Sequence, residues 1–177
     1  MKILLLLILI YAVVIIAFSY DFKAKGADYL IIIPNNANND IPDFQTVSIA
    51  NKAAMYLNDN RECKAMVTGT KQGNCKLSIA SIMTDLLDER KIFSSRIIFE
   101  DKANGLKEQL KNTLSKVDKD KKIAICCADY KALRCKIVAS KLGYKINVVC
   151  SRSLGIDQII HIPSEEFLII KELLTKL

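Results

Sequence analysis

The chain has 177 residues, a formal net charge of +7 and 51% hydrophobic residues, the composition of one globular domain with a short additional segment. These values exclude an intrinsically disordered chain. The lysines are scattered, and no arginine-rich run or aromatic-interleaved basic stripe marks a nucleic-acid-binding face, so no nucleic-acid partner is expected.

The chain opens with an uncharged apolar run, which predicts a transmembrane anchor over residues 1–20. Such a segment should be helical because lipid leaves no other partner for backbone hydrogen bonds. The alternative is a cleaved signal peptide, with Ala17 and Ser19 as the small residues before the cut. The length of the apolar run favours a retained anchor. Residues 21–27 follow as a short linker.

From residue 28 to residue 177, apolar runs alternate with helical patterns. Buried strands are predicted where the runs are short and rich in β-branched residues, at 28–34, 64–68, 96–100, 122–127 and 146–150. Helices are predicted where apolar residues recur at helical spacing, over 46–58, 77–87, 106–114 and 131–142. Pro163 predicts the start of a closing helix, and the polar segment 35–44 predicts a loop.

No hairpin signal interrupts this alternation. It therefore predicts right-handed βαβ crossovers and one α/β domain, a Rossmann-like doubly wound sheet of about five mainly parallel strands.

The six cysteines predict buried small side chains. They form no C-x-x-C pair, and the single histidine of the chain is at no zinc-ligand spacing, so no metal site is expected. Cys63 and Cys75 flank a predicted strand and turn and could bridge if that loop folded back. Cys127 at a strand end could be a nucleophile, but no histidine lies in a sequence context that would activate it.

Four polar loops follow predicted strands and are the candidate binding region. In an open parallel sheet, ligands bind beyond the carboxyl ends of the strands. Two of these loops lead into helix N-termini, whose free N–H groups suit anions. The loops are Asn35–Asn39, Gly69–Gly73, Glu100–Asn104 and Ala128–Lys131.

The residues of these loops occur in an order that resembles the bacterial YdcF/SanA/ElyC-like family, built on domain of unknown function 218. The resemblance extends from about Asp28 to Pro163. The segments that carry it are Asp28 to Asn38, Thr68-Gly69-Thr70, Ser78-Ile79-Ala80, Glu100 with Asn104 and Glu108, and Lys131 with Arg134 and Cys135.

The resemblance implies a role in the cell envelope for this membrane-anchored protein. The soluble domain is expected to be extracytoplasmic, but the positive-inside rule does not decide the side, because Lys2 lies on one side of the apolar run and Lys23 and Lys25 on the other. The binding loops themselves predict an anionic or nucleotide-like small molecule at the strand ends; the cofactor is unknown. The candidate ligand-binding residues are Asn35, Asn36, Gly69, Ser78, Glu100, Asn104, Lys131 and Arg134. Of these, Gly69, Ser78, Glu100, Asn104 and Arg134 fit the family pattern. Arg134 is the leading candidate because a guanidinium suits a phosphate or carboxylate.

Four departures from the family pattern change this site. Pro34, Asn35 and Asn36 stand where the family has glycines, Ile79 where it has glutamate, Lys102 where it has serine, and Lys131 where it has histidine. The lost carboxylate and imidazole were the best general acid–base candidates. A non-catalytic member that acts as a partner of another membrane protein is therefore the alternative. A hydrolase or transferase that uses other residues is a third hypothesis.

Each implied residue also has a structural interpretation. Gly69 fits a turn, Ser78 an exposed helix position, and Asn104 a helix cap. Glu100 and Arg134 could form an ion pair across adjacent strand ends. Lys131 could be a desolvated reactive amine or an exposed side chain. His161, distant in sequence from these loops, is expected to be an ordinary surface or packing residue, although an imidazole can exchange protons near neutral pH.

Overall fold

A computed structural model of the chain describes residues 24–153 and 155–175, without the side chains of residues 155–160 and 162. The predicted membrane anchor lies outside the described residues. Among the described residues, no helix has the length and apolar character needed to cross a membrane. The last residues of the predicted linker pack on the domain: Ala24 and Ala27 are buried, and the Tyr56 hydroxyl donates to the Ala24 carbonyl.

The five predicted strands and their parallel pairing are confirmed. They are β1 (Tyr29–Ile32), β4 (Lys64–Thr68), β5 (Ile97–Glu100), β6 (Ile123–Ala128) and β7 (Ile146–Ser151). Their sheet has the order β5–β4–β1–β6–β7, and every neighbouring pair is parallel. All six residues of β6 are buried, as expected of a central strand covered on both faces.

The helices form one layer on each face of the sheet. On one face, α1 (Phe44–Asp59) and α2 (Ile79–Glu89) contribute to one hydrophobic core. On the other face, α3 (Leu106–Leu114) and α4 (Ala132–Lys141) contribute to a second core. The last helix, α5 (Gly155–Leu174), packs against α4 and the 3₁₀ turn Asp129–Lys131. This arrangement is a Rossmann-like α/β fold.

Two local predictions were wrong. Segment 35–44 is not only a loop, because β2 (Ala37–Asn38) and β3 (Ile41–Pro42) form a small antiparallel hairpin. Its turn residues Asn39 and Asp40 both have positive φ, which Asn and Asp tolerate best after glycine. The closing helix begins at Gly155, and Pro163 lies inside it.

All six cysteines are free, so Cys63 and Cys75 form no bridge. Five are buried and Cys150 is partly buried, which agrees with the prediction of small core side chains. The Cys127 and Cys135 sulfurs lie 4.0 Å apart. Hydrogen bonding with the Cys135 and Cys150 thiols, together with burial, raises the pKa of Cys127 well above its ordinary value, which opposes a nucleophilic role.

Candidate functional site

The strand order locates a switch point between β1 and β6. From β1 the chain moves outward to β4 and β5, then returns across the sheet to β6 and β7 on the other side. The loops that follow β1 and β6 therefore run in opposite directions from the carboxyl ends of these two strands. Ligands bind at such a point in open α/β sheets. Asn35 comes three residues after β1, and Lys131 comes three residues after β6.

The buried Asn35 side chain joins these two loops. Its Oδ1 accepts hydrogen bonds from Lys131 Nζ at 2.7 Å and from the Tyr130 hydroxyl at 2.9 Å. Its Nδ2 donates to Asp43 Oδ2 at 2.6 Å. Asp43 also caps α1 by accepting from the Thr46 backbone N–H at 2.6 Å. One amide thus connects the switch-point loops to the start of α1.

Lys131 is a half-buried cation at this point. Burial lowers the pKa of its ammonium group, and the carboxylate of Glu165 opposes this in part. Among the described side chains, no carboxylate lies within ion-pair distance of Lys131 Nζ. The amide oxygen of Asn35 can solvate the ammonium group but cannot neutralise it.

A second polar cluster lies between the start of α1 and the end of β7. Ser151 Oγ is 2.6 Å from Ser48 Oγ and accepts a longer hydrogen bond of 3.4 Å from Gln45 Nε2. Gln45 is 3% exposed, and its Oε1 has no hydrogen-bond partner in the described part of the chain. A buried amide oxygen without a partner costs about 1–3 kcal/mol, so this group is suited to receive a donor from a bound molecule or a water.

The first half of α5 contacts the switch-point loops. The His161 ring stacks on the Tyr130 ring, with centroids 5.0 Å apart and an angle of 17° between the planes. His161 is distant from the site loops in sequence, but the fold brings it against the loop that follows β6, where it packs on Tyr130. Asp129, on the same turn, accepts from the Ser153 hydroxyl at 2.6 Å.

Gly69, Ser78 and Glu100 form a separate structural group beyond β4 and β5. The Gly69 N–H donates to the Glu100 carbonyl, and the Thr68 hydroxyl donates to Glu100 Oε2 at 2.6 Å. Ser78 is buried and caps α2 through the Ser81 N–H, so its assignment to an exposed helix position was wrong. Each of these contacts stabilises the loops themselves.

Glu100 is a buried carboxylate with four hydrogen-bond donors, Thr68, Lys102, Ala103 and Asn112. Burial alone would raise the pKa of Glu100, but the bonds from Thr68, Asn112 and the Lys102 backbone lower it overall. The carboxylate therefore stays ionised and holds the loop that follows β5.

Arg134 faces α5. Its guanidinium lies 3.6 Å from Glu165 Oε2 and 3.9 Å from Glu172 Oε1, and the three side chains are largely buried. The suggested ion pair between Glu100 and Arg134 was wrong, because each has other partners. Burial raises the pKa of Glu165, and the charge of Arg134 opposes that rise. Arg134 is thus a link between α4 and α5.

The remaining predicted residues are exposed. The Asn36 carbonyl accepts from the Thr46 hydroxyl, while its side chain faces solvent. Asn104 does not cap α3 with its side chain; Gly105 is the N-cap residue, and the Asn104 N–H donates to Glu108 Oε2 at 2.8 Å. Strands β4 and β1 separate the loop of Asn104 from the switch point. Of the eight predicted residues, Asn35 and Lys131 are the pair whose side chains bond directly.

The candidate residues taken from the sequence did not include Asp43, Gln45, Ser151 or Tyr130, although Tyr130 lies within the candidate loop Ala128–Lys131. Ser151 had a usable signal, since it is the first polar residue after an apolar strand run. The other three depend on tertiary contacts that no local pattern encodes. In the described part of the chain, no group of three or more His, Cys, Asp or Glu residues has the arrangement of a metal site.

Comparisons with protein-family models, curated proteins and solved structures found no significant match to this chain.

Proposed function

We propose that this protein is a membrane-tethered binding domain that takes up a small anionic molecule, of nucleotide-like size, between the carboxyl ends of β1 and β6. The proposal keeps the YdcF-like resemblance and the role in the cell envelope that it implies. Lys131 would bind the phosphate or carboxylate group, and Asn35 would hold the ammonium group in place. The site would lie at the switch point of the sheet.

The Lys131–Asn35 hydrogen bond is the observation that carries this proposal. The ammonium group is half-buried, its pKa is lowered by burial, and a neutral amide is its bonded partner. Charge–charge attraction is stronger at such a site than in water because the surroundings screen it less. An arriving anion would restore the solvation that the lysine lost on folding.

The orphaned Gln45 amide supports a second contact to the same molecule. Gln45 and Ser48 lie in the first two turns of α1, and Ser151 ends β7, two strands from β1. A donor group on the ligand, such as a hydroxyl or an amine, would satisfy Gln45 Oε1. The crevice would thus bind a charged group at Lys131 and a neutral polar group at Gln45.

A ligand-stabilisation experiment tests the proposal on the full chain in detergent. Thermal unfolding is followed with pyrophosphate, uridine diphosphate, adenosine monophosphate or citrate as probes. Lys131→Gln should weaken binding of any stabilising probe by about tenfold or more, because it removes a charge-assisted hydrogen bond. The matched control is Lys145→Gln, which makes the same charge change at an exposed position before β7. Equal stabilisation of the two variants would exclude this site.

The position of His161 supports a second candidate function, an enzyme of the hydrolase or transferase class. Its imidazole lies against Tyr130, which in turn bonds Asn35. An imidazole beside a bound anion could act as a general base. If a probe that binds is also converted, His161→Ala should abolish conversion and retain binding. Binding without conversion of any probe by the wild-type chain would favour the binding domain.

A further inference from the structure

The amino-terminal edge of the sheet, opposite the proposed binding site, carries a contiguous basic surface. We define this amino-edge surface as residues 24–28, 116–122, 141–145 and 171–175. These segments contain eight lysines and four acidic residues, while the whole chain carries a net charge of +7. One of the four acids, Glu172, is buried beside Arg134. Much of the protein's excess positive charge therefore lies at this edge.

Direct contacts show that the four segments adjoin one another. The Asp28 backbone N–H donates to the Lys122 carbonyl, and the Asp28 carboxylate accepts from the Lys122 N–H at 2.8 Å. The Tyr144 hydroxyl donates to the Val117 carbonyl at 3.2 Å. Lys141 Nζ donates to the Thr175 carbonyl at 2.6 Å, which fixes the end of α5 beside the end of α4. The segments that carry these lysines are thus neighbours at one edge of the domain.

An apolar stripe on α5 borders this surface. Phe167, Ile170 and Leu174 recur at helical spacing and are 68%, 55% and 80% exposed. They lie opposite the buried face of the helix, which carries Ile169 and Glu172. From residue 167 to residue 174 the stripe is about 10 Å long. An exposed apolar stripe next to a basic surface is typical of a membrane-contacting face.

The chain enters the domain at the same edge. Ala24 lies beside the end of α1, where the Tyr56 hydroxyl bonds its carbonyl and the Gly26 N–H bonds Asn60. The apolar run of the sequence ends at Phe18, six residues earlier. Six residues span at most about 20 Å, so that run ends within this distance of Ala24.

We propose that the amino-edge surface and the α5 stripe dock on a bilayer that contains anionic phospholipids. The lysines would contact the headgroups, and Leu174 and its apolar neighbours would enter the interfacial region, whose depth of about 5–10 Å matches the stripe. This docking rests on the proposed membrane tether and extends it. The crevice between β1 and β6 would then face away from the membrane, open to molecules in solution.

The test uses tryptophan, which the natural chain lacks. Leu174→Trp introduces a fluorescent probe on the stripe, and Phe44→Trp introduces a matched one at an exposed position of the opposite edge. Each full-length variant is reconstituted in vesicles of phosphatidylcholine with phosphatidylglycerol, some with brominated acyl chains. The indole of Leu174→Trp should shift its emission to the blue and be quenched, and that of Phe44→Trp should not.

Charge neutralisation tests the role of the lysines. Combining Lys119→Gln, Lys121→Gln, Lys122→Gln and Lys145→Gln in the Leu174→Trp chain should reduce the quenching by roughly half or more, because each basic residue contributes to the attraction. The control combines Lys71→Gln, Lys76→Gln, Lys102→Gln and Lys107→Gln at the opposite edge and should leave quenching unchanged. Replacing phosphatidylglycerol with phosphatidylcholine should reduce the quenching of the Leu174→Trp indole as the four substitutions on the amino-edge surface do.

The outcomes separate the docking from the tether. A chain that does not float with vesicles overturns both. A chain that floats while the indole of Leu174→Trp stays unquenched overturns the docking alone. A blue shift that grows with protein concentration in the absence of bromine quenching would show that a second copy covers the stripe, and it would also overturn the docking. Quenching with equal strength in both lipid compositions would overturn the role of the lysines.

Discussion

Lys131 Nζ lies 2.7 Å from Asn35 Oδ1, and this hydrogen bond joins the loops that follow the two strands on either side of the switch point. The two residues are 96 positions apart in the chain. Asn35 also bonds Tyr130 and Asp43. A substitution in either loop should therefore disturb the hydrogen bonds at the start of α1. The centre of the candidate site is thus the neutral amide of Asn35 bonded to the half-buried ammonium group of Lys131.

The first prediction concerns the alkaline stability of Lys131→Met. Burial lowers the pKa of Lys131 in the folded protein below its ordinary value of 10.5. Between the lowered pKa and 10.5, the unfolded chain binds more protons at this group than the folded one, so the group makes stability rise with pH. In Lys131→Met the free energy of unfolding, measured by urea denaturation at a series of increasing pH values, should no longer show this rise. Lys145→Met, at an exposed position, should keep the wild-type slope, and equal slopes in all three proteins would contradict the prediction.

The second prediction concerns Glu100→Gln. The carboxylate accepts four hydrogen bonds, so its neutral analogue should lower the free energy of unfolding at pH 7 by about 1–3 kcal/mol. The pKa of Glu100 in the folded protein is below the ordinary 4.5. Its contribution is therefore complete above 4.5 and is lost as the pH falls through the folded pKa. The difference between the two proteins should shrink over that acidic range. Asp101→Asn, at the exposed neighbour, should stay within about 0.5 kcal/mol of wild type at every pH.

Much of the fold could be predicted because the strands are buried on both faces. A run such as Ile123–Ala128 has no polar position that would permit an amphipathic helix, and its length suits a strand. Pro163 was misleading because proline is most common at the start of a helix, whereas here α5 continues through it. Pro163 removes one backbone hydrogen bond, and buried Ile169 anchors the following turns of α5 on the domain. The hairpin turn at Asn39 and Asp40 uses two residue types that tolerate positive φ. They were not predicted as a hairpin turn because they lie within a longer polar segment that was predicted as a loop.

Residues of the candidate site could be predicted from the sequence only where they directly follow a strand, because the end of the strand fixes their place at the sheet edge. That rule placed Asn35 and Lys131 at the sheet edge, and their side chains do meet. It also selected Arg134, but a guanidinium at the start of a helix can turn towards another helix, and here it meets glutamates of α5. The partners of a side chain depend on how helices pack across the sheet, which local sequence does not specify.

The third prediction concerns Arg134→Met. Arg134→Met removes the ion-pair partner of two buried carboxylates, Glu165 and Glu172, at a cost of about 3 kcal/mol. Amide hydrogen exchange in α5 should accelerate more than exchange in β6, because the arginine links α5 to α4. Combining Arg134→Met with Glu165→Leu should cost less than the sum of the two single changes, since the double variant leaves fewer unpaired buried charges. Additive costs would show that these residues do not interact.

The last prediction concerns Gly69→Ala, at the end of β4. Gly69 has φ of +129°, and a Cβ added there would lie 2.3 Å from Ile79 Cγ2 and 2.9 Å from Gln109 Nε2. Both the backbone conformation and the space therefore oppose any side chain. The substitution should lower the free energy of unfolding by about 2 kcal/mol or more, measured by urea denaturation.

The matched control is Gly73→Ala, in the same loop. Gly73 also has positive φ, +48°, but no atom lies within 4 Å of the added Cβ. It should cost about 1 kcal/mol, the price of the left-handed backbone alone. The difference between the two variants measures the clash with Ile79 and Gln109. If both variants cost the same, the close approach of Gly69 to α2 and α3 does not constrain this loop.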